Sequence, residues 1–283
     1  MDIKKIGVVG AGTMGLGIAQ ACAAAGYEVV LNDIKPEFID RALVRMGKIL
    51  DKSVEKGKMD QETRDSILAR VSKSTDYADF ADVDVVCEAV LENMELKKEV
   101  FRTLNGICSQ DAIFCTNTSS MSITEISAGS GRPGKFCGMH FFNPVHVMKL
   151  VEVISGELTE PETAETILGF AKSLGKTPVR VKKDMPGFIV NRLLLPYMNE
   201  AAKMLSEGVA DVEDIDTAVK LGLNYPMGPF QMLDMGGIDL TCTILEYYRE
   251  EFGDDMYAPD MVLKQMLRAG KLGQKSGQGF YKY

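Results

Sequence analysis

The stretch Ile6-Gly7-Val8-Val9-Gly10-Ala11-Gly12-Thr13-Met14-Gly15 decides the fold. An apolar strand runs straight into a glycine-rich turn, and the turn opens a helical segment from Leu16 to Ala25. A second apolar run, Glu28 to Leu31, ends at Asp33. Strand, glycine turn, helix, strand and acid in this order form the βαβ fingerprint of a nicotinamide or flavin dinucleotide site. Gly10 permits the tight turn, Gly12 lets the backbone approach a pyrophosphate, and Gly15 lets the helix pack close on the strand. The pyrophosphate sits on the free N–H groups at the helix amino terminus. Asp33, about 20 residues on, is placed to accept from a ribose 2′-OH and to repel a 2′-phosphate. That favours NAD over NADP, with Lys35 close by as a cation that can accommodate phosphate. The rival reading is a glycine turn in a Rossmann domain that binds nothing.

Strand and helix patterns alternate outward from this turn. Apolar runs at 3–9, 28–32, 83–88, 112–116, 136–140, 149–154 and 177–181 read as strands, with helical stretches near 14–25, 36–57, 60–70, 95–108 and 161–174. The alternation predicts an α/β fold with a doubly wound, largely parallel Rossmann-type sheet. The last two or three strands follow each other closely enough to be antiparallel, with a turn at Asn143–Pro144. From Pro186 onward only helical segments are legible. The boundary is expected at Asp184–Pro186, giving a dinucleotide domain over 1–184, with a helical arm about 36–70, and an all-helical domain over 185–283. The helix Phe188 to Leu205 reads as apolar almost all round, which demands burial on every side and points to a dimer built by the second domain.

The composition fits. A chain of 283 residues is large enough for two domains, and 46% hydrophobic residues supply the cores. A net charge of −8 argues against nucleic acid as a partner. Six scattered cysteines without a C-x-x-C pair read as buried free thiols in a reducing compartment. Two histidines and no spaced ligand cluster argue against a metal. No apolar run reaches the ~18 residues of a membrane span. The first strand begins at Ile3, leaving no room for a signal segment, so a soluble cytoplasmic protein is expected.

Hydride transfer to a nicotinamide requires a group that takes or gives a proton, and histidine titrates in the right range. His140 ends the run Phe136–Met139 at the sheet edge where ligands bind. Glu152 lies in the next run, and an antiparallel turn at Asn143–Pro144 brings the two near each other. A carboxylate beside an imidazole fixes its tautomer and stabilises the imidazolium. The competing role for His140 is a core histidine satisfied by backbone, while His146 reads as a turn residue. Two polar clusters stay open between catalysis and structure: Thr116–Ser120 after a strand, and Asn191–Arg192 at the start of the apolar helix. Arg41, Arg45, Lys48, Lys52 and Lys56 fall on one helical stripe. It is either a solvated face interleaved with Asp40, Asp51 and Glu55, or a docking strip for a phosphate-rich ligand other than the dinucleotide.

Further landmarks are Glu88-Ala-Val-Leu-Glu92-Asn93, Asn117-Thr-Ser119-Ser120, His140-Phe-Phe-Asn143-Pro144 and Met148-Lys-Leu-Val-Glu152. They continue with Asp184-Met-Pro-Gly187-Phe-Ile-Val-Asn191-Arg192, Tyr225-Pro-Met-Gly-Pro229 and Lys275-Ser-Gly-Gln-Gly-Phe-Tyr281. In order and spacing, over essentially the whole chain, they resemble the L-3-hydroxyacyl-CoA dehydrogenase family. The resemblance implies an NAD-dependent oxidoreductase interconverting (S)-3-hydroxybutyryl-CoA, or a similar short-chain 3-hydroxyacyl-CoA, with the 3-oxoacyl-CoA. It implies His140 as proton donor and acceptor with Glu152 as partner, and Ser119 and Asn191 at the substrate oxygen. Gly10, Gly12, Met14, Gly15, Asp33, Glu92, Lys97, Ser119, Asn143 and Lys275 would contact NAD. The arm would lie over CoA, with Lys52 and Lys56 toward its phosphates. Either fermentative butyrate or butanol synthesis or β-oxidation suits such an enzyme. Two alternatives stand beside it. A β-hydroxyacid dehydrogenase of the 6-phosphogluconate type typically uses a lysine and is disfavoured by His140 with Glu152. A non-catalytic crystallin-like relative is disfavoured by the full set of catalytic positions.

Overall fold

The computed structural model describes residues 2–283 and divides into two compact units, one ending at Phe188 and one beginning at Ile189. The first unit carries β1 (Lys5–Val9), α1 (Thr13–Ala24), β2 (Glu28–Asn32), α2 (Pro36–Glu55), α3 (Gln61–Ala69) and β3 (Val71–Ser74). It continues with β4 (Val85–Glu88), α4 (Met94–Asn105), β5 (Ile113–Thr116), α5 (Ile123–Ala128), β6 (Phe136–Phe141), β7 (Leu150–Ile154), α6 (Pro161–Ser173) and β8 (Thr177–Val181). The eight strands form one sheet in the order β3-β2-β1-β4-β5-β6-β7-β8. Pairing is parallel from β3 through β6, antiparallel between β6 and β7, and parallel again between β7 and β8. Strand order reverses at β1, which opens a crevice at the carboxyl ends of β1 and β4, the place where such sheets bind ligands.

Alternation along the strands builds a core on each face. Ile6, Val8, Leu31, Cys87, Cys115 and Met139 pack with residues of α1, α2 and α6. Val30, Val86, Phe114 and Phe136 pack with Phe101 and Leu104 of α4 and Ile123 of α5. All six cysteines are buried free thiols, as the composition suggests. Strand β3 is absent from the sequence reading because Val71-Ser72-Lys73-Ser74 carries one apolar residue. It is an edge strand, held by pairing with β2 rather than by burial.

The fingerprint turn is as tight as its glycines require. Gly10 has φ +99, a conformation L side chains avoid, and a Cβ there would collide with Ala89. A Cβ on Gly15 would strike the carbonyl oxygen of Gly10, so the third glycine packs on the first as well as near Val8. A Cβ on Gly12 meets nothing within 4 Å, so this side of the turn is open.

The second unit is helical: α7 (Val190–Ser206), α8 (Val212–Gly222), α9 (Pro229–Gly236), α10 (Ile238–Phe252) and α11 (Met261–Arg268). Its chain end is fastened by two buried carboxylates. Asp234 accepts from the Phe280 and Tyr281 amides, each at 2.9 Å, and Asp216 accepts from the Tyr281 hydroxyl at 2.8 Å. Two readings need correction. α7 buries one face only, through Leu195, Met198, Asn199, Ala201 and Ala202, while Leu193 is 70% exposed, Glu200 lies in solvent and the exposed Arg192 lays its guanidinium over the Phe252 ring. Spacings of three and four make that buried stripe, and the polar residues take the other side. Phe188 does not begin the helix. It has φ 51, follows Gly187 at φ 77, and is buried in the first unit's core. Asp184 holds this segment by accepting from the Ser122 hydroxyl at 2.7 Å and the Thr124 amide at 2.8 Å. The compact units divide after Phe188, a few residues beyond the expected boundary at Asp184–Pro186.

The glycine geometry separates two substitutions. Gly15→Ala should lower unfolding stability by about 1–3 kcal/mol, as overpacking does. Gly12→Ala should leave Tm nearly unchanged and weaken NADH binding. Equal Tm losses in the two variants, measured by calorimetry, would contradict this assignment.

Candidate active site

Four constellations of the first unit gather at carboxyl ends of strands or on the helices that follow. The first is the amino terminus of α1. Gly12 offers no side-chain cap and the first turn has no acid, so the positive end of the helix dipole has no anionic partner there. Asp33, after β2, accepts from the Ala11 amide at 2.7 Å and the Ile34 amide at 2.8 Å. Each carboxylate oxygen keeps acceptor capacity for a ribose hydroxyl. Gly12, Thr13, Leu16, Asp33 and Phe38 share a cavity of about 340 Å³ with α2 residues. An open glycine, an uncapped helix end and an acid at the next strand fit a dinucleotide.

The second is a network across β4 and β5. Glu88 is fully buried at the end of β4, and Lys97 on α4 is 1% exposed. Glu88 accepts from Lys97 and from the Val90 amide, each at 2.7 Å, and from the Thr116 hydroxyl at 2.7 Å. Lys97 also meets Glu92 at 3.0 Å. Glu92 in turn accepts from the Thr118 hydroxyl at 2.6 Å and the Ser119 amide at 2.9 Å. A buried ammonium between two carboxylates thus sets the loop that carries Ser119. Lys97 serves the site from beneath, while Glu92 stands at its surface, 40% exposed. In the sequence Glu88 is legible only as part of a motif. Five polar side chains spread over 88–118 give no periodic signal.

The third is the histidine. The antiparallel register sets His140 directly opposite Glu152, and Nδ1 lies 2.8 Å from the Glu152 carboxylate, with both residues buried. The Phe142 and Phe188 rings stand 4.5 and 5.7 Å from the imidazole, measured between centroids. Asn117 accepts from the Phe141 amide at 2.9 Å and ties the end of β6 to the loop after β5. Asn143 lies exposed just beyond. The core-histidine alternative predicts backbone partners for the ring. The observed partner is a buried carboxylate, and the tautomer with its proton on Nδ1, donated to Glu152, leaves the Nε2 lone pair free.

The fourth is the basic stripe on α2. Asp40 pairs with Lys73 and Asp51 with Arg64, so two of the three interleaved acids turn away. Lys48, Lys52 and Lys56 are exposed and have no ion pair among the described residues. In the second unit, Asn191 lies in the first turn of α7, and Lys275 is paired with Asp239 at 2.6 Å. Among the described residues no cluster of three metal-ligating side chains exists, and no helix is long and apolar enough to cross a membrane.

Residues 5–185 match the NAD-binding domain of 3-hydroxyacyl-CoA dehydrogenase, and residues 187–283 match its C-terminal domain. The chain belongs to the 3-hydroxyacyl-CoA dehydrogenase family. A probable 3-hydroxybutyryl-CoA dehydrogenase of Deinococcus radiodurans is 48% identical across 99% of this chain and 100% of that protein. A 3-hydroxybutyryl-CoA dehydrogenase of Clostridioides difficile is 47% identical across 99% of both. The crystal structure of (S)-3-hydroxybutyryl-CoA dehydrogenase from Ralstonia eutropha superposes with a TM-score of 0.98 at 44% identity, covering 100% of this chain and 99% of that one. The protein is thus an NAD-dependent oxidoreductase of 3-hydroxyacyl-CoA thioesters.

The network makes a test in acid. Burial works to raise the Glu92 carboxyl, but Lys97 and the bonds from Thr118 and Ser119 outweigh it and hold the group below its ordinary value of 4.5. A lowered folded value contributes stability that is present above the unfolded value and lost as pH falls through the folded one. Between about pH 5 and pH 3, Tm should fall more steeply for the wild type than for Glu92→Gln. Parallel slopes would contradict the network's electrostatic role.

Proposed function

We propose that this enzyme interconverts (S)-3-hydroxybutyryl-CoA, or a similar short-chain 3-hydroxyacyl-CoA, with the 3-oxoacyl-CoA, using His140 as the proton-transferring group. The observation that carries this reading is the buried His140–Glu152 pair in direct antiparallel register beside a dinucleotide fold. NAD, when bound, supplies the hydride acceptor. The protein's own residues do the rest. In oxidation, Nε2 of His140 takes the proton of the 3-hydroxyl as the C3 hydrogen leaves as hydride. Glu152 stabilises the positive charge that develops on the ring. In reduction the imidazolium returns the proton to the ketone oxygen. Ser119, set by Glu92, donates to the same oxygen.

Gly10, Gly12, Met14, Gly15, Asp33, Glu92 and Asn143 form the first unit's contribution to NAD binding. Asn191 and Lys275 keep the substrate and dinucleotide roles that the resemblance implies. The family's CoA substrate is strongly anionic, and Lys52 and Lys56, exposed and without an ion pair among the described residues, suit its phosphates. A 3-oxoacyl product suits either a fermentative or a degradative setting in the cytoplasm. Exposed apolar side chains of the second unit, such as Leu193 at 70% and Leu221 at 81%, favour a homodimer.

Three measurements test these assignments. His140→Ala should lower kcat for acetoacetyl-CoA reduction by about 10²–10⁴, and Glu152→Gln should lower kcat with NADH binding little changed. A near-normal kcat in His140→Ala would overturn the assignment. The double variant Lys52→Ala, Lys56→Ala should raise KM for acetoacetyl-CoA severalfold at unchanged kcat, an effect that shrinks with salt. It should leave the N-acetylcysteamine thioester unaffected, and equal weakening of that truncated substrate would count against CoA docking. Light scattering should give a mass near twice 31.0 kDa; a species of 31.0 kDa alone at micromolar concentration would rule the dimer out.

A further inference from the structure

The structure divides the basic stripe. Lys48, Lys52 and Lys56 point into solvent without a partner among the described residues, but Arg45 turns toward the glycine turn. Its Nη1 donates to the Thr13 hydroxyl at 3.1 Å, and Thr13 is the first residue of α1. Arg45 also lines the cavity of about 340 Å³ that contains Gly12, Thr13 and Asp33. Asp33 shares that cavity, yet no carboxylate forms an ion pair with Arg45 among the described residues. The charges that bear on the neighbouring His146 are positive. Its imidazole is held below the usual histidine range by burial first, then by Lys176, then by Arg45. Lys176 is spent on the carbonyls of Val145 and Met148, which fixes the loop bearing His146. Val145 of that loop sits against Gly17 of α1.

Positive charge from Arg45 therefore stands over the first turns of α1, in a protein of net charge −8, and the acid that shares the cavity, Asp33, is engaged by the Ala11 and Ile34 amides rather than by the guanidinium. The same turn presents an uncapped helix end with no acid of its own. A guanidinium offers five donors in a fork that fits two phosphate oxygens at once, and Thr13 occupies one of them.

We propose that Arg45 is a cofactor-contacting residue: carried by α2, its guanidinium closes on the pyrophosphate of the dinucleotide seated at the amino terminus of α1. This rests on the NAD reading above. It assigns Arg45 to the dinucleotide and leaves the lysines farther along the stripe to CoA.

The test uses the full chain and its Arg45→Met and Arg45→Lys variants, titrated with NADH, ADP-ribose, adenosine and CoA. Arg45→Met should raise Kd for NADH and ADP-ribose about threefold to tenfold, the scale of one partly exposed charged contact. The loss should shrink at about 0.5 M salt, where screening reaches only a few ångströms. Adenosine, which lacks phosphate, should bind all three proteins alike, and CoA should be unaffected. Arg45→Lys should recover part of the loss, because it keeps the charge but not the fork. The proposal is overturned if NADH binds Arg45→Met as tightly as the wild type. It is also overturned if adenosine weakens in step with NADH, which marks a displaced helix, or if CoA alone weakens, which moves Arg45 to the other ligand. A failure of the NAD reading itself would appear in the wild type, as no binding of NADH.

Discussion

The arrangement depends on one hydrogen bond, that between His140 Nδ1 and Glu152 across the antiparallel step from β6 to β7. A carboxylate buried as deeply as Glu152 is costly alone, and leaving it without a partner costs about 3–5 kcal/mol. The two residues therefore belong to the fold as a pair. Register supplies the pair without any loop having to find it: residues opposite each other in an antiparallel ladder share a face and stand within side-chain reach. A one-residue slip would send Glu152 to the opposite face, and with it the orientation of the imidazole.

Elsewhere in the first unit acids of the site are compensated by a buried lysine, while the lysines along α2 stay exposed. Glu88 and Glu92 are answered by Lys97, and the loop of Ser119 is hung from the result. The first turn of α1 carries no acidic residue, and Arg45, Lys52 and Lys56 have no ion pair among the described residues. With an overall charge of −8, the proposed phosphate contacts depend on such local reversals of sign.

What could be read in the sequence follows from how local each signal is. The glycine turn is legible because each glycine answers a steric demand within a few residues, and Gly10 and Gly15 meet that demand by touching each other. The apolar strands are legible because both faces of the sheet are covered. Strand β3 is not, because a polar edge strand is made by its neighbour. The histidine pair was reachable only through the turn at Asn143–Pro144, which supplied the register. The Glu88–Lys97–Glu92 network was out of reach, because its meaning lies in burial that no spacing reveals. Phe188 differs from its expected place for a similar reason: an apolar residue beside a helix looks helical, but Gly187 and the Asp184 anchor turn it toward His140.

The most direct test of the account is the tautomer of His140. The chain has two histidines, so nitrogen-15 labelling of histidine gives two ring systems, assignable with His146→Gln. In the neutral form, the account predicts a protonated, pyrrole-like Nδ1 and a pyridine-like Nε2 for His140, with the pattern lost in Glu152→Gln. A His140 protonated at Nε2, or one unaffected by Glu152→Gln, would contradict it.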